Sequence, residues 1–147
     1  MRVVADTNTV ISGLLWHGAP RQVLEAAREG AMNLFTSAIL LAELEDVLSR
    51  GKFSERLALA GVSPHELVLG YAALALVIEP AIIAPVIAAD PDDDAVLACA
   101  IAARAEAIVS GDSDLLSLQE YKGIRILGAA DFLLRLQGTE GPDTEQP

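Results

Sequence analysis

Short apolar runs alternate with longer stretches of mixed pattern along most of the chain. Val3-Val4-Ala5, Leu34-Phe35-Thr36, Leu76-Val77-Ile78, Ala107-Ile108-Val109 and Ile124-Arg125-Ile126 are brief, largely apolar and bounded by polar or turn residues, which predicts five strands. Helices are predicted between them. One runs from Pro20 to about Arg28 with Gly30 as its stop. Another is capped by Ser37 and runs to about Ser49. After the break at Gly51, a shorter helix covers about Lys52 to Ala60. Ser63-Pro64-His65-Glu66 is a capping box that opens a helix to about Ala73. Pro80 and Pro85 keep residues 79–89 from forming a long helix. Asp90 starts a helix to about Ala103, and Ala129 starts the last one, to about Leu136. Asp6-Thr7-Asn8 is expected to enter a loop.

This alternation indicates an α/β fold with a mostly parallel sheet covered on both faces. Right-handed crossovers put the C-terminal ends of parallel strands on one edge, where open α/β sheets bind ligands. The polar residues that end the strands are therefore the ones to examine.

The chain has 147 residues, enough for one domain that buries roughly 70% of its unfolded surface. The expected domain covers residues 1–137, and the polar, Gly- and Pro-containing segment 138–147 is expected to be a disordered tail. A lone cysteine, Cys99, fits a small core residue and a reducing compartment. No secretory leader is visible and no apolar stretch is long enough to span a bilayer, so a cytoplasmic protein without membrane attachment is expected. The apolar fraction of 52% is high for a monomer, which leaves open an oligomer interface or an alanine-rich interior. The net charge of −11 argues against a simple DNA-binding module, because such modules neutralise phosphate with basic side chains. It does not exclude a metal-dependent nuclease, since a carboxylate cluster that repels phosphate when empty attracts it once divalent cations are bound.

The carboxylates are the candidate chemistry. Asp6 closes the first strand and Asp112 the fourth. One acid after a strand is ordinarily a turn or cap residue, but two on strands of one edge suggest a site. Glu43 lies at the margin of a helix whose buried stripe is Leu40, Leu44, Val47 and Leu48. An inward glutamate needs a partner, either an arginine or a metal. Glu45 and Asp46 point further out, and Asp46 faces Arg50 one turn on. In the run Asp90-Pro91-Asp92-Asp93-Asp94, capping and the helix dipole account for Asp90, Asp92 and Asp93. Asp94 is then left at the mouth of an otherwise apolar, buried helix. Asp6, Glu43, Asp94 and Asp112, with Asp114 adjacent, are expected to converge. Crowded carboxylates repel one another and favour a hard cation, Mg²⁺ or Mn²⁺. Zinc does not fit, because His17 and His65 belong to no Cys/His pattern. Such a site suits phosphodiester hydrolysis, in which the cation orients phosphate, offsets its charge and activates water.

Asp6-Thr7-Asn8 after a first strand, the acid at Glu43, the stretch Asp94-Ala95-Val96-Leu97-Ala98-Cys99-Ala100 and Ser110-Gly111-Asp112-Ser113-Asp114 resemble the PIN-domain family in order and spacing. The resemblance covers about residues 2–136. The longer stretch from Asp90 to Leu116 is similar to the branch of toxin components of bacterial toxin–antitoxin modules, relatives of the VapC-like toxins. The resemblance implies a three-layer α/β/α fold with a sheet of about five strands and Mg²⁺- or Mn²⁺-dependent cleavage of RNA. It also implies a homodimer and a cognate antitoxin that blocks the groove. Carried over, Asp6, Glu43, Asp94 and Asp112 are the ligand quartet and Asp114 an auxiliary acid. Asn8 and Ser110 then orient ligands or water. Asp93 takes the place of Asp94 if the register differs by one residue, and Ser110 stands where threonine is common in the family.

Other families fit less well. A haloacid-dehalogenase-type phosphatase needs a second aspartate where this chain has Asn8, and a receiver domain needs a lysine that neither Lys52 nor Lys122 supplies. No P-loop or dinucleotide fingerprint is present. The remaining rival is a non-catalytic PIN-like module that binds RNA or a partner. Arg50, Lys52 and Arg56 are the only tight basic group, so a single-stranded or looped RNA is expected rather than a long duplex.

Overall fold

Strand β1 (Arg2–Ala5) runs through the middle of a sheet of order β3-β2-β1-β4-β6-β5 in the computed structural model, which describes residues 1–86 and 91–138. The other strands are β2 (Asn33–Thr36), β3 (Leu76–Val77), β4 (Ala107–Val109), β5 (Glu120–Tyr121) and β6 (Ile124–Leu127). Every pairing is parallel except β5 with β6. The five predicted strands are present. The sixth, β5, is the first arm of a hairpin whose turn residues Lys122 and Gly123 both have positive φ, the geometry that tight hairpins require.

The eight helices among the described residues are α1 (Thr7–Leu15), α2 (Ala19–Arg28), α3 (Ala38–Leu48), α4 (Ser54–Ala60), α5 (Pro64–Leu74), α6 (Pro91–Ala103), α7 (Ser113–Leu118) and α8 (Ala129–Gly138). A 3-10 turn, Gly51–Phe53, joins α3 to α4. Strand alternation divides the core into two layers. Val3, Ala5, Ala107 and Val109 pack on one face against α1, α2, α3, α5 and α8. Val4, Ile108 and Ile126 pack on the other against α6 and α7. The result is a three-layer α/β/α sandwich. Among the described residues no single helix is long and apolar enough to cross a membrane.

Two elements depart from expectation. Asp6-Thr7-Asn8 does not enter a loop: Asp6 is the N-cap of α1, its side chain accepting from the Thr9 backbone N–H. This helix contains Thr7, Thr9, Val10, Ile11 and Gly13, all poor formers, so packing rather than propensity sustains it. Gly13 lets α2 come close, since a Cβ there would lie 2.8 Å from both the Leu24 side chain and the Pro20 carbonyl oxygen. The last carbonyls of α1 are satisfied from outside, by Arg21 at Gly13 and Leu14 and by Arg56 at Leu15. The short helix α7 was likewise not expected. Helix α3 follows its predicted phase, with Leu40, Leu44, Val47 and Leu48 buried and Asp46 paired to Arg50 at 3.3 Å. Of the expected tail, residues 138–147, Gly138 ends α8, and residues 139–147 lie outside the described residues, as does Asp90.

Candidate active site

The strand order reverses between β1 and β4, because β2 lies on one side of β1 and the later β4 on the other. Ligand crevices of open α/β sheets form at such switch points. Asp6 leaves the end of β1 here and is 4% exposed. Its Oδ1 accepts from the Thr9 N–H at 2.8 Å, and its Oδ2 accepts from the Ser110 hydroxyl at 2.5 Å. Ser110, at the end of β4, accepts in turn from the Asp112 N–H at 2.9 Å. Because the hydroxyl proton goes to Asp6, Ser110 ties the two strand ends together and fixes the rotamer of the first carboxylate.

Asp112 is the N-cap of α7 and accepts from the Leu115 N–H at 3.1 Å, which holds its carboxylate at the start of that helix. Asp93, Asp112 and Asp114 each bring a carboxylate oxygen within 4.8 Å of one another. Asp93 is buried on the first turn of α6, Asp112 half-buried and Asp114 exposed. Glu43 arrives from α3, and its Oε1 accepts from the Thr7 hydroxyl at 2.8 Å.

These side chains surround one cavity of about 270 Å³, lined by Asp6, Thr7, Asn8, Glu43, Asp92, Asp93 and Asp112. Val47 and Val96 form its apolar floor, and Arg50 and Lys52 its basic side. Asp6, Glu43 and Asp112 are thus brought together with Asn8 at the same cavity, and Asp114 joins through Asp112. Ser110 lies behind Asp6 as its orienting partner.

Asp94 is not placed there. Both its oxygens face the Val86 N–H, at 3.3 and 3.2 Å, and it does not line the cavity. Asp93 lines the cavity instead. The reason is helical phase. Residues three, four and seven beyond Asp93 are Val96, Leu97 and Ala100, all at most 2% exposed, so Asp93 continues the most deeply buried line of α6. Sequence reasoning also missed Thr7 as the partner of Glu43, and it did not assign Arg50 and Lys52 to the acid site.

Behind the site, burial raises the Tyr71 phenol well above its ordinary value, with smaller contributions from Cys99 and Asp6. Burial also pushes the Cys99 thiol up to about 12. Both groups are therefore neutral packing residues at physiological pH, and Cys99 is a core residue as expected.

The match to the PIN domain family model spans residues 2–114, from the start of β1 to the last acid of the cluster. The chain belongs to the PIN domain family. No curated protein matches it at a significant level. PIN domains are generally metal-dependent nucleases, and the α/β/α sandwich with its acidic switch-point cavity is the nuclease-type fold of that family. The donor set suits a hard divalent cation: the clustered ligand atoms are carboxylate oxygens, and neither histidine nor Cys99 lines the cavity of this PIN domain.

Proposed function

We propose that the protein is a Mg²⁺- or Mn²⁺-dependent endoribonuclease that hydrolyses phosphodiester bonds in single-stranded or looped RNA. The observation that carries this reading is the meeting of carboxylates from four separate parts of the fold in one cavity. They come from the end of β1, from α3, from the first turn of α6 and from the β4–α7 turn. Asp6, Glu43, Asp93 and Asp112 would hold the cation, with Asp114 as the outer acid. A cation bound there neutralises phosphate charge and lowers the pKa of water.

The chain's own groups do the rest. Ser110 and the Thr9 N–H hold Asp6 in one orientation, so its charge is fixed before substrate arrives. Thr7 holds Glu43. Asn8, exposed at the rim, offers an amide to a phosphate oxygen or to water. The half-enclosed cavity admits a splayed strand more readily than a rigid duplex.

The toxin role belongs to the same proposal: a cytoplasmic homodimer whose cognate antitoxin inserts a basic side chain among the carboxylates. The decisive experiment compares cleavage of a hairpin-loop RNA and a blunt duplex in Mn²⁺, with Asp112→Asn as the blank. Loop cleavage absent from the blank is expected. Duplex preference, or equal activity in the blank, refutes the reading. Mn²⁺ at about 100 times Kd should also stabilise the fold by about 2.7 kcal/mol, seen as a raised Tm, and Asp6→Asn should remove most of that shift. A non-catalytic module would show neither cleavage nor the shift.

A further inference from the structure

We infer that Arg50 and Lys52 hold the phosphate next to the one that is cut, so that the substrate is an RNA strand engaged through two consecutive phosphates rather than one. The inference rests on the nuclease reading of the cavity and adds to it a specificity element. The chain has ten lysines and arginines, and among the described residues Arg50 and Lys52 are the two that line the acidic cavity.

Their support is built. The turn that carries them is closed by the Phe53 N–H to the Arg50 carbonyl at 3.0 Å and by the Ser54 hydroxyl to the Gly51 carbonyl at 2.7 Å. Phe53 anchors it in the core, with its ring 6.3 Å from that of Trp16. The Lys52 ammonium lies 5.1 Å from the centre of the Phe53 ring, which limits its range without satisfying its donors. Arg50 meets Asp46 at 3.3 Å, but both side chains are more than half exposed. Such a solvent-facing pair contributes little. A phosphate that accepts two charge-assisted bonds from the guanidinium displaces it readily.

Position separates this pair from the metal ligands. Arg50 follows Glu43 by seven residues, just beyond the end of α3, which puts their backbones roughly 10 Å apart at the helical rise. A cation among the carboxylates sits about 2 Å from its ligand oxygens. Arg50 and Lys52 both enter the cavity from the single turn after α3, whereas the acids come from β1, α3, α6 and the β4–α7 turn, so a phosphate paired with both basic residues lies toward that turn, beside the one over the acids, and one strand supplies both.

The test uses the full chain in Mn²⁺ with two substrates, a uridine dinucleotide with a single phosphodiester and a uridine hexanucleotide. In the variant carrying Arg50→Gln and Lys52→Gln, the ratio of kcat/KM for hexanucleotide over dinucleotide should fall by about ten- to a hundredfold, carried by KM. The salt dependence of log KM for the hexanucleotide should flatten by about 0.7, the value for one phosphate of a single strand. Lys52→Arg, which keeps the charge, should restore part of the ratio in the Arg50 wild-type background relative to Lys52→Gln. Equal losses on both substrates would show that the pair only balances the acids, and an unchanged ratio would show no docking. Both overturn the inference while leaving the nuclease reading intact. If the wild-type chain cuts neither substrate, the nuclease reading fails. Metal-supported hexanucleotide binding that the double variant loses would then still support the docking.

Discussion

The two edges of the sheet treat polar groups in opposite ways. At the N-terminal edge they satisfy one another. The Arg2 N–H donates to Glu106 Oε1 at 3.0 Å, the Glu106 N–H to the Arg2 carbonyl at 2.8 Å, and Arg2 Nε to the Ala103 carbonyl at 2.6 Å. The Arg2 guanidinium also lies 4.9 Å from the centre of the Phe35 ring. A carboxylate meets a backbone N–H, and the C-terminus of α6 gains a cation. At the C-terminal edge like charges are gathered instead: Asp6, Glu43, Asp92, Asp93 and Asp112 line a single cavity. Neutral groups, the Ser110 and Thr7 hydroxyls and backbone N–H groups, hold three of these acids in place. One edge is arranged for stability, and the other gathers like charges around one cavity, with Arg50 and Lys52 on its basic side.

Substitutions on each edge test that contrast. The largest effect is expected from Asp112→Asn. Asparagine caps a helix as well as aspartate, so α7 should survive and Tm should hardly change. Cleavage should fall by about 10²–10³-fold, since the lost charge is one the reaction needs. A large loss of Tm would place Asp112 on the structural side of the contrast. Next is Ser110→Ala, which removes the hydroxyl that orients Asp6 and should lower metal affinity or activity by about 10- to 100-fold. Titration with Mn²⁺ followed by Tm measures this without an activity assay. Arg2→Ala should do the reverse, costing about 1–2 kcal/mol in denaturant unfolding with specific activity retained. Loss of activity per folded molecule would break the separation of the edges. Smallest of all, Glu45→Gln and Asp46→Asn, on the outward side of α3, should change activity and stability within about 0.5 kcal/mol. A dead Asp46→Asn enzyme would mean that Glu43 is not the acid of this helix that matters.

The strands and longer helices were legible because burial on one or both faces leaves a periodic trace. Helix α1 was not, because its residues have low helix propensity and its stability comes from α2 and from two distant arginines. Asp6 with its N–H acceptor geometry three residues on was a cap signal open to being read as a turn. Asp112 before α7 repeats the ambiguity: at both sites one aspartate caps a helix and faces the cavity. Asp93 and Asp94 could not be separated because α6 is apolar on almost every side, and such a helix carries no amphipathic phase to say which acid turns inward. Arg50 and Lys52 stood out as a basic group, but only the fold shows that the turn after α3 returns to the acids.

The hydrogen bond from Ser110 to Asp6 joins residues 104 positions apart, and β1, made first, takes its place between strands made later. At about 5–20 residues per second, roughly 5–20 s of synthesis separate the two partners. Throughout that interval a nascent chain already bears Asp6, Glu43 and eventually Asp93, yet has no β4 to flank the first strand and no Ser110 to hold its carboxylate. Topology thereby delays the assembled carboxylate set until β4 and the turn after it have been translated. If the chain cuts RNA as proposed, this order of synthesis keeps its carboxylate set unassembled beside the ribosomal RNA and the message until Ser110 and Asp112 have been made.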